Sequence, residues 1–321
     1  MVKTRIAYYF IAPAVIMMAV LVFYPLISGI NLSFTNATQA NVLQRSPIPP
    51  SGKCIKAPIA PVAPTIVGDS CITAATYEYV GLTNYTTILT NDAYQFWPVF
   101  RQTVIWTIFN VIPHIGIGLG LALLLNRDIK GRTIYRVLLI LPWAVPSYIS
   151  AFVWRFIFNG DIGFLNNFFD LQVPWLSNPN WAMFSVIVAN TWLAIPFNMV
   201  TILGGLQSIP GDLYEAANVD GANSWQKFTS ITMPMLRPVM MTATLLGVIW
   251  TFNSFNIIFL VSEGGPFRST EILATWAWRY GFSQRPEFGI AASFSVIILV
   301  ILIAFSLIYI RVLQRPGQEA I

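Results

Sequence analysis

The run Glu215-Ala216-Ala217-Asn218-Val219-Asp220-Gly221-Ala222 lies between two long apolar segments. A connection that only had to stay solvated would not need small residues, spaced acids and a glycine in this order, so the run reads as a docking element. Pro210 suits the first turn of a helix, and Asp212 and Glu215 suit its positive N-terminal end. Gly221 permits a break, after which Ser224 is placed to cap a second short helix through Trp225 and Phe228 that stops at Pro234. The expected product is a helix, bend and helix over 207–238 at a membrane surface. Ala216, Ala217 and Ala222 leave room for a partner to approach the backbone, and Glu215 and Asp220 can pair with a partner's Arg or Lys. An ordinary interfacial amphipathic helix with solvated acids would use the same residue types.

Outward from this loop, composition sets the class. Of 321 residues 56% are hydrophobic and only 10% charged, with a mean hydropathy of +0.65. Soluble chains carry about a quarter charged residues, so this is an integral membrane protein. The net charge of +5 comes from Lys and Arg in short loops beside apolar runs, which is positive-inside patterning rather than a nucleic-acid-binding face. Six segments approach the length of about 20 residues that crosses a bilayer; they lie near 7–30, 99–125, 135–158, 181–206, 239–261 and 289–311. The expected fold is all-α and polytopic. Pro13, Pro113, Pro146 and Pro196 interrupt spans in a way that membrane helices tolerate.

Lys3 and Arg5 precede the first span, Arg127, Lys130, Arg132 and Arg136 fill the turn after the second, and Arg311 and Arg315 follow the last. With six spans these groups share one side, which places both termini, the 312–321 tail and the 207–238 loop in the cytoplasm. The first span is too long for a secretory h-region and lacks a small-residue cleavage site, so it is expected to be retained. The chain then divides into a first span (1–30), an extracytoplasmic loop (31–97), a five-helix core (98–311) and the tail.

The loop 31–97 is expected to be an irregular excursion, and it holds both cysteines. Cys54 and Cys71, facing an oxidising compartment, are expected to form a disulfide, two unpaired thiols being the alternative. A metal site is not expected, because two Cys and one distant His cannot supply four ligands.

His114 lies deep in the second span. It can satisfy a carbonyl freed by Pro113, or it can relay protons. Gly116, Gly118 and Gly120 superficially suggest a nucleotide loop, but inside an apolar span the four-residue spacing of Gly116 and Gly120 favours helix packing. No G-x-x-x-x-G-K-[ST] run exists, so energy comes from another subunit or an ion gradient. Trp250, Thr251, Asn253, Ser254 and Asn256 on the fifth span, with Asn190, Trp192 and Asn198 on the fourth, supply the amides, hydroxyls and aromatic faces that a sugar requires. Helix-to-helix hydrogen bonding draws on the same residues.

The run Ile209-Pro210-Gly211-Asp212-Leu213-Tyr214-Glu215-Ala216-Ala217, followed by Asp220-Gly221-Ala222, Phe228, Ile231, Met233-Pro234 and Pro238, resembles the EAA loop of binding-protein-dependent ABC importer permeases. It is most similar to the maltose-type sugar permeases, on the MalF-like side. The stretches 159–166 (Asn-Gly-Asp-Ile-Gly-Phe-Leu-Asn), Asn190-Thr191-Trp192, Gly264-Gly265-Pro266 and Phe288-Gly289-Ile290-Ala291-Ala292 look like further landmarks of that family, so the resemblance covers roughly 80–311. The loop 31–97 is far shorter than the large external insertion of the enterobacterial maltose permease, and contacts of that insertion do not carry over.

The resemblance implies a permease subunit that is not an enzyme and carries no cofactor. Its partners would be a second permease, a cytoplasmic ATPase dimer holding ATP and Mg, an extracytoplasmic sugar-binding protein and membrane lipid. Glu215, Ala216, Ala217, Asp220 and Gly221 would couple to the ATPase. The polar residues of the fourth and fifth spans would meet a sugar, a glycerophosphodiester or other polyol being the alternative cargo. An ion-coupled transporter would instead be expected to show paired intramembrane acids or discontinuous helices. A membrane-embedded enzyme would need a reactive constellation, and no such motif is present.

Overall fold

The computed structural model describes residues 2–42, 44–47, 65–67, 70–73 and 77–313. The chain divides into two compact units, one of Met1–Trp97 with Trp276–Ile301 and the other of Pro98–Thr275 with Leu302–Ile321.

In the first unit, α1 (Val2–Met18) passes through a π turn at Ala19–Phe23 into α2 (Tyr24–Ser33). The apolar side chains from Phe10 to Ile27 are largely exposed, as on a helix whose surroundings are not this chain. The last carbonyls of α2 have no partner within the helix, and side chains supply one for Ser33 O, which accepts from Asn84 Nδ2 and Ser293 Oγ, both at 2.9 Å; Asn84 Nδ2 also donates to Thr35 O just beyond the helix at 2.8 Å. After α3 (Gln39–Val42) the loop contains a small antiparallel sheet in the order β1-β3-β2, with β1 Gln44–Pro47, β2 Thr65–Val67 and β3 Ser70–Thr73. Sequence periodicity does not announce strands this short. Cys71 is in the central strand, opposite Ser46 and Ile66; Cys54, and with it the expected disulfide, lies outside the described residues. Next comes α4 (Thr83–Thr90).

The second unit is built on α5 (Phe96–Leu125) and α9 (Pro179–Gln207). Both keep an internal proline, Pro113 and Pro196, without ending. Between them stand α6 (Arg132–Ala144), α7 (Ser147–Ile157) and α8 (Phe164–Phe169). The expected third span over 135–158 is not one helix: α6 and α7 meet at 93°. Pro146 is the cause, because a proline pushes the residue before it out of the α region, and Val145 is extended (φ −82°, ψ 129°).

Beyond the loop helices α10 (Gly211–Val219) and α11 (Ser224–Lys227), a π turn at Phe228–Thr232 runs directly into α12 (Met233–Phe252). The expected stop at Pro234 is absent. The wider i→i+5 turn, closed by Met233 N–H on Phe228 O, carries the helix into Pro234, where the first turn tolerates a missing donor. The expected fifth span over 239–261 also breaks, at Asn253-Ser254, with α13 (Phe255–Val261) beyond. Two further helices, α14 (Leu273–Phe282) and α15 (Phe288–Leu313), complete the chain. Counting the bent α6–α7 pair as one gives up to six helical passages long and apolar enough to cross a membrane, so the polytopic α-helical architecture holds with its small sheet as an addition.

Two apolar clusters hold the second unit. One contains Trp106, Phe158, Val186, Ala189 and Ile258; the other contains Ala122, Met199, Ile202, Leu206 and Leu236. On α9 the stretch Asn190–Asn198 falls between them, and on α5 His114 lies midway between Trp106 and Ala122. Within this chain the close contact falls on Gly118 and not on the expected Gly116 and Gly120. A Cβ on Gly116 or Gly120 would meet nothing within 4 Å, whereas one on Gly118 would lie 2.7 Å from Asn198 Cβ. Gly118 therefore sets the close approach of α5 to α9.

Candidate functional site

Where the two clusters part, a cavity of about 690 Å³ opens, within the range of small-ligand sites. His114 of α5, one face of α9 (Asn190, Ala194, Phe197 and Asn198 among its residues) and both helix breaks line it: Trp143 to Ser147 at the α6–α7 bend, and Trp250, Thr251 and the residues from Asn253 to Ile257 at the α12–α13 break. Irregular backbone at membrane depth is tolerated where it is buried in protein or lines a cavity, and side chains replace the lost helix bonds. Trp106 Nε1 donates to Thr251 O at 2.8 Å and Asn253 Nδ2 to Ile249 O at 3.4 Å. Asn256 Nδ2 reaches across from α13 to Ser147 Oγ of α7 at 3.2 Å.

Of the expected substrate residues, Asn190, Trp250, Thr251, Asn253, Ser254 and Asn256 all line this cavity. Thr251 is buried and Trp250, Asn253 and Asn256 are exposed. Trp192 is not among them: it points elsewhere on α9 and meets Trp154 edge-on with ring centroids 5.9 Å apart. Asn190 binds between helices, with Nδ2 donating to Asn110 Oδ1 at 2.9 Å and Oδ1 accepting from Ser254 Oγ at 3.3 Å. Trp143 and Phe197, to which the sequence assigns no substrate role, also reach the wall. Trp143, Phe197 and Trp250 form an aromatic chain, with centroids 6.4 Å and 4.9 Å apart. His114 does not find the carbonyl expected of it through Nε2, which has no hydrogen-bond partner. The lining holds no Lys, Arg, Asp or Glu among the described residues.

The loop helix α10 is a different kind of surface. Glu215, Ala216, Asp220 and Gly221 are exposed and Ala217 is half-buried. Asp212 stands in the first turn, with Pro210 as the cap. The helix ends in a Schellman motif: Ala222 N–H donates to Ala217 O at 2.8 Å and Gly221 N–H to Asn218 O at 3.1 Å. That closure needs a left-handed residue, and Gly221 takes it at φ +77°. The second helix is capped by Asn223, not by the expected Ser224, because Asn223 and Gln226 form a reciprocal capping box. Tyr214 OH and Thr232 Oγ1, 2.9 Å apart, and Lys227 Nζ on Asn218 Oδ1 at 2.7 Å tie the two helices together. Val219 and Trp225, both largely exposed, flank the acids.

The other landmarks are structural knots. Asn159 Oδ1 accepts from the N–H groups of Asp161 and Ile162, both at 3.0 Å, and Asn166 bridges Gly160 O, Val173 O and Trp175 Nε1. Gly264 leaves room for the buried Glu271, whose carboxylate would collide with any Cβ there. Among the described residues no group of three or more His, Cys, Asp or Glu comes together to hold a metal ion.

The family described as "Binding-protein-dependent transport system inner membrane component" matches residues 114–317, a stretch that contains the cavity and α10. A probable ABC transporter permease protein of Brucella suis is 38% identical over 231 residues, covering 70% of this chain and 80% of its own. The trehalose/maltose transport system permease protein MalF of Thermococcus litoralis is 36% identical over 238 residues, 73% of this chain and 79% of its own. The maltodextrin permease MalC of Streptococcus pneumoniae is 36% identical over 263 residues, but this chain spans only 60% of its length. Among solved structures, a bacterial alginate ABC transporter in complex with an alginate pentasaccharide-bound periplasmic protein superposes with a TM-score of 0.78 at 20% identity, over 99% of this chain and 97% of that one. This last likeness concerns the fold.

Proposed function

We infer the function from the family to which this chain belongs, the binding-protein-dependent transport system inner membrane components, and from the chemistry of the cavity. The chain is the membrane-spanning permease subunit of an ATP-driven sugar importer and forms half of its translocation pathway. It catalyses nothing itself. The other half is a second permease, an extracytoplasmic sugar-binding protein delivers the substrate, and an ATPase dimer on the cytoplasmic face binds and hydrolyses MgATP. In this reading the protein sits in the bacterial inner membrane with both termini in the cytoplasm, as the Lys and Arg pattern favours.

The observation that carries the sugar reading is the cavity wall. Asn190, Asn253, Ser254, Asn256 and Ser147, which carry amides and hydroxyls, line the cavity together with Trp143, Phe197 and Trp250. This is the pairing of hydrogen-bond partners and apolar faces that a sugar offers in return. The names of the relatives, with maltodextrin and trehalose/maltose among them, point to a related oligosaccharide. A glycerophosphodiester fits less well, since its anion would meet no Lys or Arg in the lining. Although the two broken helices are a device shared with ion-coupled carriers, among the described residues no carboxylate lines the cavity to take a coupling ion.

Coupling falls to α10. Its exposed Glu215 and Asp220 are free to meet a basic cleft on the ATPase, Ala216 lets that surface come close, and the Schellman closure at Gly221 with the capping box at Asn223 makes the element stiff enough to transmit a push. Alternating access then follows as the two permeases move with the closing ATPases. The complete complex in proteoliposomes should hydrolyse ATP faster when the binding protein carries maltose or a maltodextrin. ATP hydrolysis indifferent to every loaded sugar would defeat the sugar reading.

A further inference from the structure

We propose that His114 and Asn198 form a second recognition step for the hydroxyl groups of a neutral sugar, farther along the pathway toward the Leu125 end of α5. The proposal deepens the sugar reading of the cavity and rests on it.

α5 and α9 run side by side in register. Asn110 meets Asn190, and eight residues later in each helix Gly118 meets Asn198. His114 stands halfway between, about 6 Å along the seam from either level at the helical rise of roughly 1.5 Å per residue. At the first level the polar atoms are already engaged. Asn190 uses both ends of its amide, and Asn110 donates to Trp106 O at 2.8 Å while accepting from Asn190. At the next two levels they are not. His114 Nε2 and Asn198 Oδ1 have no partner, although both residues are only 2% exposed, and Asn198 Nδ2 is committed to Ala194 O at 3.0 Å.

Buried polar atoms in native structures are nearly always paired, and an unpaired one forgoes a hydrogen bond. Other side chains carry such atoms too, Ser150, Thr191 and Ser269 among them, but of that set only His114 and Asn198 belong to the cavity wall. Both atoms are sealed in this conformation, so a substrate reaches them when the imidazole turns or the α5–α9 seam opens during transport. Asn198 Oδ1 can only accept, and His114 Nε2 accepts or donates according to its tautomer. A hydroxyl answers both. A carboxylate would face the Asn198 carbonyl in a lining without Lys or Arg, so the pair selects neutral sugars over uronates. Phe197, next to Asn198, supplies the apolar face beside it.

The assembled importer with its binding protein, second permease and ATPase in proteoliposomes tests this, with radiolabelled maltose and trehalose as probes and an alginate oligosaccharide as the acidic comparison. His114→Leu and Asn198→Ala should each lower the sugar moved per ATP hydrolysed about tenfold, while ATP hydrolysis stimulated by the loaded binding protein persists. Asn198→Ala keeps the Cβ that packs on Gly118, and His114→Gln should recover much of the ratio. A packing role would lower transport and ATP hydrolysis together and leave the ratio unchanged, which overturns the assignment, as would wild-type transport in both variants. If the wild-type complex moves neither neutral sugar, or moves the alginate oligosaccharide in preference, the neutral-sugar reading of the cavity falls and takes this proposal with it. Retained maltose transport with unchanged ratios removes only the His114–Asn198 step.

Discussion

The loop helix α10 and the cavity between α5 and α9 are both polar regions of a largely apolar chain, yet they are built in opposite ways. The bonds that shape α10 and its turn span short stretches of chain, Ala222 to Ala217, Gly221 to Asn218, Gln226 to Asn223 and Lys227 to Asn218, and even Tyr214 to Thr232 stays within the loop. The cavity instead joins distant residues, Asn110 to Asn190, Ser254 to Asn190 and Asn256 to Ser147. A surface made of local bonds presents its side chains outward to a partner. One made of distant bonds has its interior set by how helices cross, and a side chain there can be spent on the fold instead of on a ligand.

The largest expected effect tests the outward-facing half of this contrast. Glu215→Ala removes a charge-assisted contact of about 1.5–3 kcal/mol to the ATPase, and uptake should be abolished while the protein still inserts with all its spans. Two neighbouring variants sharpen it. Ala216 is exposed and Ala217 half-buried, so Ala216→Trp blocks only a docked partner, whereas Ala217→Trp also strains the loop itself. Copurification of the ATPase should be lost in both. Retention with Ala216→Trp would mean that α10 is an interfacial helix and not a docking element.

A smaller effect is expected inside the cavity. Asn253→Ala and Ser254→Ala each remove one hydrogen-bonding group, worth roughly 1–3 kcal/mol, up to about a hundredfold in apparent affinity. Ser254 also holds Asn190, while Asn253 is exposed to the cavity and bonds only its own helix at Ile249. If the two sites mix ligand and fold as the contrast implies, Ser254→Ala should lower thermal stability as well as uptake, and Asn253→Ala should lower uptake alone. Normal uptake kinetics in both variants, at normal expression, would remove the fifth span from the substrate site.

The smallest effect returns to the loop. Gly221→Ala places a side chain at φ +77°, a strain of about 1 kcal/mol. The global unfolding temperature should barely move, and hydrogen exchange at the amides of Gly221 and Ala222 should speed up. If exchange there stays at the wild-type rate, the Schellman closure is not what stiffens the loop.

Legibility in the sequence followed the same division. The acids, alanines and glycine of α10 are legible because caps and turns act over a few residues; the cap lies one residue from its expected place, at Asn223 instead of Ser224, and the helix continues through Pro234 by way of a π turn. Pro146 and Asn253-Ser254 were visible too, but their consequence was not. A proline inside an apolar run is equally compatible with a continuous helix, as Pro113 and Pro196 demonstrate, or with a 93° bend. Of the eight residues read as sugar partners, seven reach the cavity and Trp192 does not, since helical spacing gives a face without saying what lies opposite it.

The sequence by itself determined that this chain is a polytopic α-helical membrane protein, through apolar runs of spanning length and a charge pattern that the bilayer imposes residue by residue. It also determined the form of the loop helix, through local capping and backbone preference. Only the tertiary structure decided which spans break, which glycine lets α5 approach α9, and that His114 Nε2 and Asn198 Oδ1 lack partners in residues of a shared wall. Those outcomes depend on which side chains from distant segments arrive to replace or withhold a hydrogen bond.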